Sequence, residues 1–153
     1  MSEAVVEDLR QALGEKIQEL TVHSDRRIYI DVAPEDLVEA ARALFEGMGA
    51  RYAIASGMET VDGFEVLHHF AFDSRHVLVS LRVRTDAEEP VFDSLAPMIE
   101  GASFIEREMR DLLGIEFRGH PNPERLILSD DWPEGVYPLR RGKPWEGKVR
   151  KEV

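Results

Sequence analysis

Apolar residues recur along this chain with two different periods, and each change of period marks a change of element. Val5, Leu9, Ala12 and Leu13 fall at helical spacing within residues 3–13, and Gly14 is placed to end that helix. Between Ile17 and Val32 the spacing contracts to strand period: Leu20 and Val22 alternate, Ser24-Asp25-Arg26-Arg27 is a polar turn, and Ile28, Ile30 and Val32 share one face. Pro34 suits a first helical position, with Glu35 and Asp36 complementing the helix dipole. Leu37, Ala41, Leu44, Phe45 and Met48 then form the stripe of the main helix over the sheet, interrupted by Gly47 and Gly49. Strands follow over 51–59, 64–73 and 76–85, joined by turns at Asp62-Gly63 and Asp73-Ser74-Arg75. Phe64, Val66, His68, Phe70 and Phe72 line one face, matched by Val77, Val79, Leu81 and Val83, while Arg82 and Arg84 point away. That is the pattern of a sheet covered on one side. The predicted fold is two-layer α+β in the order α-β-β-α-β-β-β, a mixed sheet covered by helices on one face, followed by a short helix and an irregular C-terminal arm. Residues 86–90 read as an acidic loop, and the segment to Gly101, broken by Pro90 and Pro97, holds at most one helical turn.

The short helix begins the stretch richest in turns and paired charge, residues 103–141. Ser103 and Glu106 have the spacing of a capping box, and Gly114 is placed to end the helix in a left-handed conformation. Phe104, Ile105, Met109, Leu112 and Leu113 share one side, while Glu106–Arg110 and Arg107–Asp111 have ion-pair spacing. Glu108 projects between Phe104 and Leu112, where an ionised carboxylate is costly unless a cation meets it. The sequence therefore predicts a buried Glu108 paired with Arg125, or next with Arg118. Ile115-Glu116-Phe117 alternates at strand period, and Gly119-His120-Pro121-Asn122-Pro123 consists almost wholly of turn formers.

Taken in order, the runs E-R-E, D-L-x-G-I-x-F, G-H-P, Arg-Leu-x-Leu and P-L-R resemble the signature of the 30 kDa subunit, the one designated C, of proton-pumping NADH:quinone oxidoreductase (complex I). The wording D-D-W-P-E-G-V-Y-P-L-R is nearer to the version found in energy-converting [NiFe] hydrogenase and formate hydrogenlyase complexes. The positions that match are Glu106, Arg107, Glu108, Asp111, Gly114, Ile115 and Phe117, then Gly119, His120, Pro121, Arg125, Pro138, Leu139 and Arg140. Phe104 stands where the family has Trp, and Pro123-Glu124 replaces a Leu-Arg step. The resemblance implies a non-catalytic structural and docking subunit of a membrane-associated electron-transfer complex, packed on its hydrogenase-like large subunit. It implies no cofactor in this chain, with Fe–S clusters and NiFe or flavin carried by partner subunits, and a cytoplasmic position peripheral to the membrane.

Composition narrows the alternatives. The 153 residues make one domain, assigned to residues 1–141. The chain contains no Cys, which excludes Fe–S ligation by this chain alone, and no apolar run near the length of a membrane span. No signal peptide is visible at the start of the sequence. The net charge of −11 repels phosphate backbones and argues against nucleic acid as a partner. Residues 139–153 hold six Lys or Arg against two Glu and show no helical or strand period. Residues 139–153, of which 142–153 are assigned as a flexible basic C-terminal arm, are therefore expected to be poorly ordered in the isolated chain and to dock on a partner, the alternative being that the basic arm lies along its own acidic body. Two other functions stay open: a stand-alone small enzyme using Glu108, His120 and Arg125 in a cleft, and an adaptor for an unrelated partner. His68, in an apolar row, reads as a core or interface histidine.

Overall fold

The computed structural model describes residues 2–142. Helix α1 (Ser2–Leu13) buries Val5, Leu9 and Leu13 and closes at Gly14, whose φ of +53° few other residues adopt. Strands β1 (Glu19–Ser24) and β2 (Arg27–Asp31) form the predicted hairpin. Pro34–Asp36 makes one tight turn and α2 (Leu37–Arg42) follows, loosening into a π-helical turn at Ala43–Gly47. Leu37, Ala40, Ala41 and Leu44 are its buried side, so the main helix stands where the apolar stripe placed it.

Three long strands follow: β3 (Arg51–Thr60), β4 (Gly63–Phe72) and β5 (Val77–Thr85). They form an antiparallel meander, and β5 returns beside β2 in parallel, giving the order β1-β2-β5-β4-β3. The parallel pairing is a consequence of α2 carrying the chain from β2 across to the far edge. Phe64, Val66, His68, Phe70, Val79, Leu81 and Val83 are buried on the face under the helices. The opposite face is polar at its centre, where Asp31 meets Arg82 and Arg84, at 2.7 and 2.9 Å, and Arg84 meets Glu65.

One element escaped the sequence. Val91–Asp93 forms a short strand, β6, in parallel register with β7 (Glu116–Arg118), with Phe92 against Phe117. Three residues beside Pro90 are too few to show a period, and the partner strand lies far along the chain, beyond a whole helix. The expected helical turn is present just after β6, where Ile99 N–H donates to the Leu95 carbonyl at 2.8 Å. Helix α3 (Ala102–Leu113) then crosses β3 on the covered face.

Candidate functional site

Helix α3 takes its rotation from β3. Met109 and Leu113 pack over Gly57, where an added Cβ would lie 2.6 Å from Met109 Sδ. With this close approach over a residue lacking a side chain, Ala102, Glu106, Met109 and Leu113 face the core. Two sequence expectations fail as a result. The capping box does not form, because the helix starts at Ala102 behind Gly101 and Glu106 is fully buried instead of reaching back to Ser103. Glu108 is half-buried on the outer side beside Phe104, which is 60% exposed.

Glu106 is answered by the loop after β6. Its Oε2 accepts from Ser94 Oγ at 2.5 Å, and its Oε1 accepts from the Leu95 N–H at 2.7 Å. His120 adjoins this cluster with its side chain 3% exposed. Its Nδ1 accepts from the Asn122 N–H at 2.9 Å, which places the ring proton on Nε2, donating to the Ser103 carbonyl at 3.1 Å. Nε2 lies 3.8 Å from Glu106 Oε2. The carboxylate beside His120 is thus Glu106, and Glu108 is not brought to it. Burial pushes the Glu106 carboxyl up to about 7 against the opposing pull of the Ser94 and Leu95 donors. Burial, and then the Glu106 charge, raises the Tyr52 phenol as well. Tyr52 Oη is 3.2 Å from His68 Nδ1. His68 is the core histidine the apolar row suggested: burial lowers it to about 3, and its Nε2 has no hydrogen-bond partner among the described residues.

The remaining motif residues hold the returning loop. A single oxygen of Asp111, Oδ2, accepts from the successive backbone N–H groups of Leu126, Ile127 and Leu128 at 2.9, 2.8 and 3.1 Å. Burial alone would raise this carboxyl; the three amides outweigh it and hold Asp111 below the ordinary value. Arg107 donates to the carbonyls of Glu124 and Arg125, and Arg110 to that of Pro123 and to Glu116. The predicted pairs Glu106–Arg110 and Arg107–Asp111 do not form, because each side chain finds a partner off the helix. Arg125 turns away from Glu108 to the carbonyls of Ser129 and Trp132, and Arg118 lies by Asp93 at 3.5 Å.

The end of α3 is closed by the P-L-R motif. Gly114 adopts φ +70°, and a Cβ there would lie 2.5 Å from the Tyr137 ring. The carbonyls that the helix leaves unpaired accept from the Leu139 N–H, at 3.0 Å to Leu112, and from Arg140 Nε, at 2.7 Å to Leu113. The Arg140 guanidinium lies between the Phe64 and Tyr137 rings, 4.9 and 4.7 Å from their centroids. The Arg141 N–H reaches Glu59. Residues 139–141 are therefore anchored, which corrects the expectation of a loose arm from residue 139; residues 143–153 lie outside the described residues. Ile115 and Phe117 are buried, Gly119 adopts φ +82°, and Pro121 and Pro138 are exposed.

Glu108, His120 and Arg125 do not converge on a cleft. The cleft beside the motif, about 260 Å3, is lined by Arg110, Glu116, Arg125, Trp132 and Tyr137. A larger one, about 600 Å3, opens beside Asp8, Met48 and Arg75, and its walls hold none of the motif residues. Among the described residues no group of three or more His, Asp or Glu is placed to hold a metal ion, and no helix is long and apolar enough to cross a membrane. Ser94, Leu95 and Tyr137 are participants that sequence reasoning missed; only Gly114, whose open space the Tyr137 ring occupies, carried a signal.

Comparison with known proteins agrees with this architecture. The NADH-quinone oxidoreductase subunit designated C of Roseiflexus sp. (strain RS-1) is 35% identical over 147 residues, 92% of this chain and 82% of that protein. Formate hydrogenlyase subunit 5 of Escherichia coli (strain K12) is 43% identical over 63 residues, 41% of this chain and 11% of that protein. The NADH-quinone oxidoreductase polypeptide designated C/D of Phocaeicola vulgatus is 35% identical over 116 residues, 73% of this chain and 22% of that protein. A chain of the membrane-bound sulfane sulfur reductase, an archaeal respiratory membrane complex, shares the fold, with a TM-score of 0.75 at 19% identity over 89% of this chain and 81% of that one. The sequence pattern of the respiratory-chain NADH dehydrogenase 30 kDa subunit matches residues 30–149, and with it the self-clamped α3 stretch places this chain in that family.

Proposed function

We propose that this chain is a non-catalytic structural and docking subunit of a membrane-associated electron-transfer complex, of the NADH:quinone oxidoreductase or energy-converting hydrogenase type. It packs on the hydrogenase-like large subunit from the cytoplasmic side, peripheral to the membrane, and contributes no cofactor of its own. The observation that carries this reading is where the motif side chains end. Asp111, Arg107, Arg125 and Arg140 satisfy backbone groups of this same chain, and Glu106 answers Ser94 and Leu95. Side chains committed in this way to their own fold support the shape of a surface.

The relatives support a polypeptide partner for this domain. In the polypeptide designated C/D the matched region spans 22% of the length, so there the domain is covalently joined to a longer polypeptide. A matching stretch of 63 residues is likewise part of a longer polypeptide in formate hydrogenlyase subunit 5, at 11% of its length. Fusion in one organism favours contact between separate chains in another. Affinity isolation of a tagged full-length chain from native membranes, followed by mass spectrometry, tests the reading. Recovery of the organism's hydrogenase-like large subunit in stoichiometric amount is expected; recovery of the chain alone overturns it.

A further inference from the structure

The outer side of α3 carries an apolar stripe that nothing in the described chain covers. Phe104, Glu108 and Leu112 follow one another at i,i+4 spacing and so stand in line along the helix. The sheet occupies one flank of this line. The loop tied to Arg107 and Asp111 occupies the other and presents Ile127, 54% exposed, and Leu126. At the C-terminal end Leu139, 60% exposed, is fixed beside Leu112 by its backbone bond to the Leu112 carbonyl. The other exposed large apolar side chains among the described residues, Val22, Ile54, Met58, Val61 and Val91, lie on β1, β3, the turn after it and β6. On α3, Phe104 and Leu112 bracket one carboxylate, and Glu108 forms no hydrogen bond or ion pair among the described residues, though it is half-buried.

Resting on the docking role given above, we propose that this stripe is the contact surface, and that its occupant is the large-subunit partner, presenting an apolar patch with an Arg or Lys at its centre. The charge argument selects the occupant. Covering Phe104 and Leu112 with an apolar surface alone would strip water from Glu108 and leave an ion without a partner, which is strongly unfavourable. A cation delivered among apolar side chains removes that cost and fixes the register of the two chains. Large aromatic side chains at the centre of such a patch carry a disproportionate share of binding. A second copy of this chain fits poorly, because apposing two stripes would bring Glu108 against Glu108. The basic segment 143–153 of this same chain has suitable chemistry, so the experiment must separate it from the partner.

The full-length chain is titrated against the hydrogenase-like large subunit of the same organism, and each variant's melting temperature is measured in isolation. Phe104→Ala and Glu108→Arg are each expected to weaken association about tenfold or more, with melting temperatures unchanged. Glu108→Gln, which keeps the shape, is expected to fall between Glu108→Arg and wild type. Glu7→Arg, an equal charge change on the exposed side of α1, is expected to bind as wild type. Wild-type affinity for both Phe104→Ala and Glu108→Arg overturns the stripe as the contact surface while leaving the docking role intact. A fall in the melting temperature of isolated Glu108→Arg, abolished by deleting residues 143–153, assigns the stripe to this chain's own segment and equally overturns the proposal. Absence of any wild-type association overturns the docking role itself, and this inference with it.

Discussion

Two sides of α3 are built from the same materials, a glutamate set among apolar side chains, and they serve opposite ends. On the inner side Glu106 lies between Ala102, Met109 and Leu113 and is fully buried. Donors from another element, Ser94 Oγ and the Leu95 N–H, are already in place around it. On the outer side Glu108 lies between Phe104 and Leu112 with no donor among the described residues. A buried carboxylate is tolerable where the fold delivers its donors and costly where it does not. The inner glutamate therefore ties α3 to the loop after β6, and the outer one is where the proposed contact with a second polypeptide would supply the missing cation. Asp111 extends the inner logic to the loop, gathering three amides on one oxygen and so fixing the ridge that borders the outer stripe.

The sharpest way to break this contrast is at Asp111. Replacing it with alanine leaves three neighbouring N–H groups without their acceptor, and at about 1–3 kcal/mol for an unmade bond the loss should reach roughly 3–5 kcal/mol. Urea denaturation measures it, and a loss below about 1 kcal/mol would mean that water replaces the carboxylate and the loop is not clamped.

A middle-sized effect comes from pH. The folded protein holds the Glu106 proton more tightly than the unfolded chain, in which the group titrates near its ordinary 4.5. The stability it contributes is complete below about pH 4.5 and is lost as the pH rises through about 7, by roughly 3 kcal/mol in total. Asp111, held low, acts in the other direction: its contribution is present above its ordinary 3.8 and fades only in stronger acid, so the two windows separate. Denaturation midpoints measured from about pH 5 to pH 8 should decline in the wild type and stay nearly level in Glu106→Gln. Parallel curves for the two proteins would show that Glu106 titrates normally.

The smallest effect is expected at Glu108. Glu108→Ala should change the stability of the isolated chain by less than about 1 kcal/mol, as surface substitutions do. That is the opposite of what its position between two apolar residues suggested from sequence, and a loss of several kcal/mol would restore the buried reading.

The periodic parts of the chain were legible in advance. Every strand of the five-stranded sheet was anticipated to within a few residues, since alternation over nine or ten residues in β3, β4 and β5 admits one register with the apolar side inward. Gly114 was also legible, because a helix that stops at an isolated glycine implies a left-handed residue. The direction in which α3 faces was not. Its apolar residues spread over about half its circumference, and the sequence pattern placed Glu108 inside that stripe and Glu106 in an ion pair outside it. The choice came from Gly57 on β3, which draws Met109 and Leu113 inward, and from Ser94 at the end of β6, which supplies a donor where Glu106 arrives. Both lie outside α3 and leave no trace in its periodicity.

By itself, then, the sequence determined the α+β class, the places of the five long-sheet strands and the three helices, the family motif and the absence of cysteine. These depend on local period, turn residues and composition. Only the tertiary structure decided the partners of Glu106, Asp111, Arg107 and Arg125, and which glutamate of α3 is left without a partner among the described residues. Hydrogen-bond satisfaction is settled in three dimensions: a side chain four residues away on a helix competes with backbone donors from a distant loop. Where those donors are buried and otherwise unpaired, the loop wins.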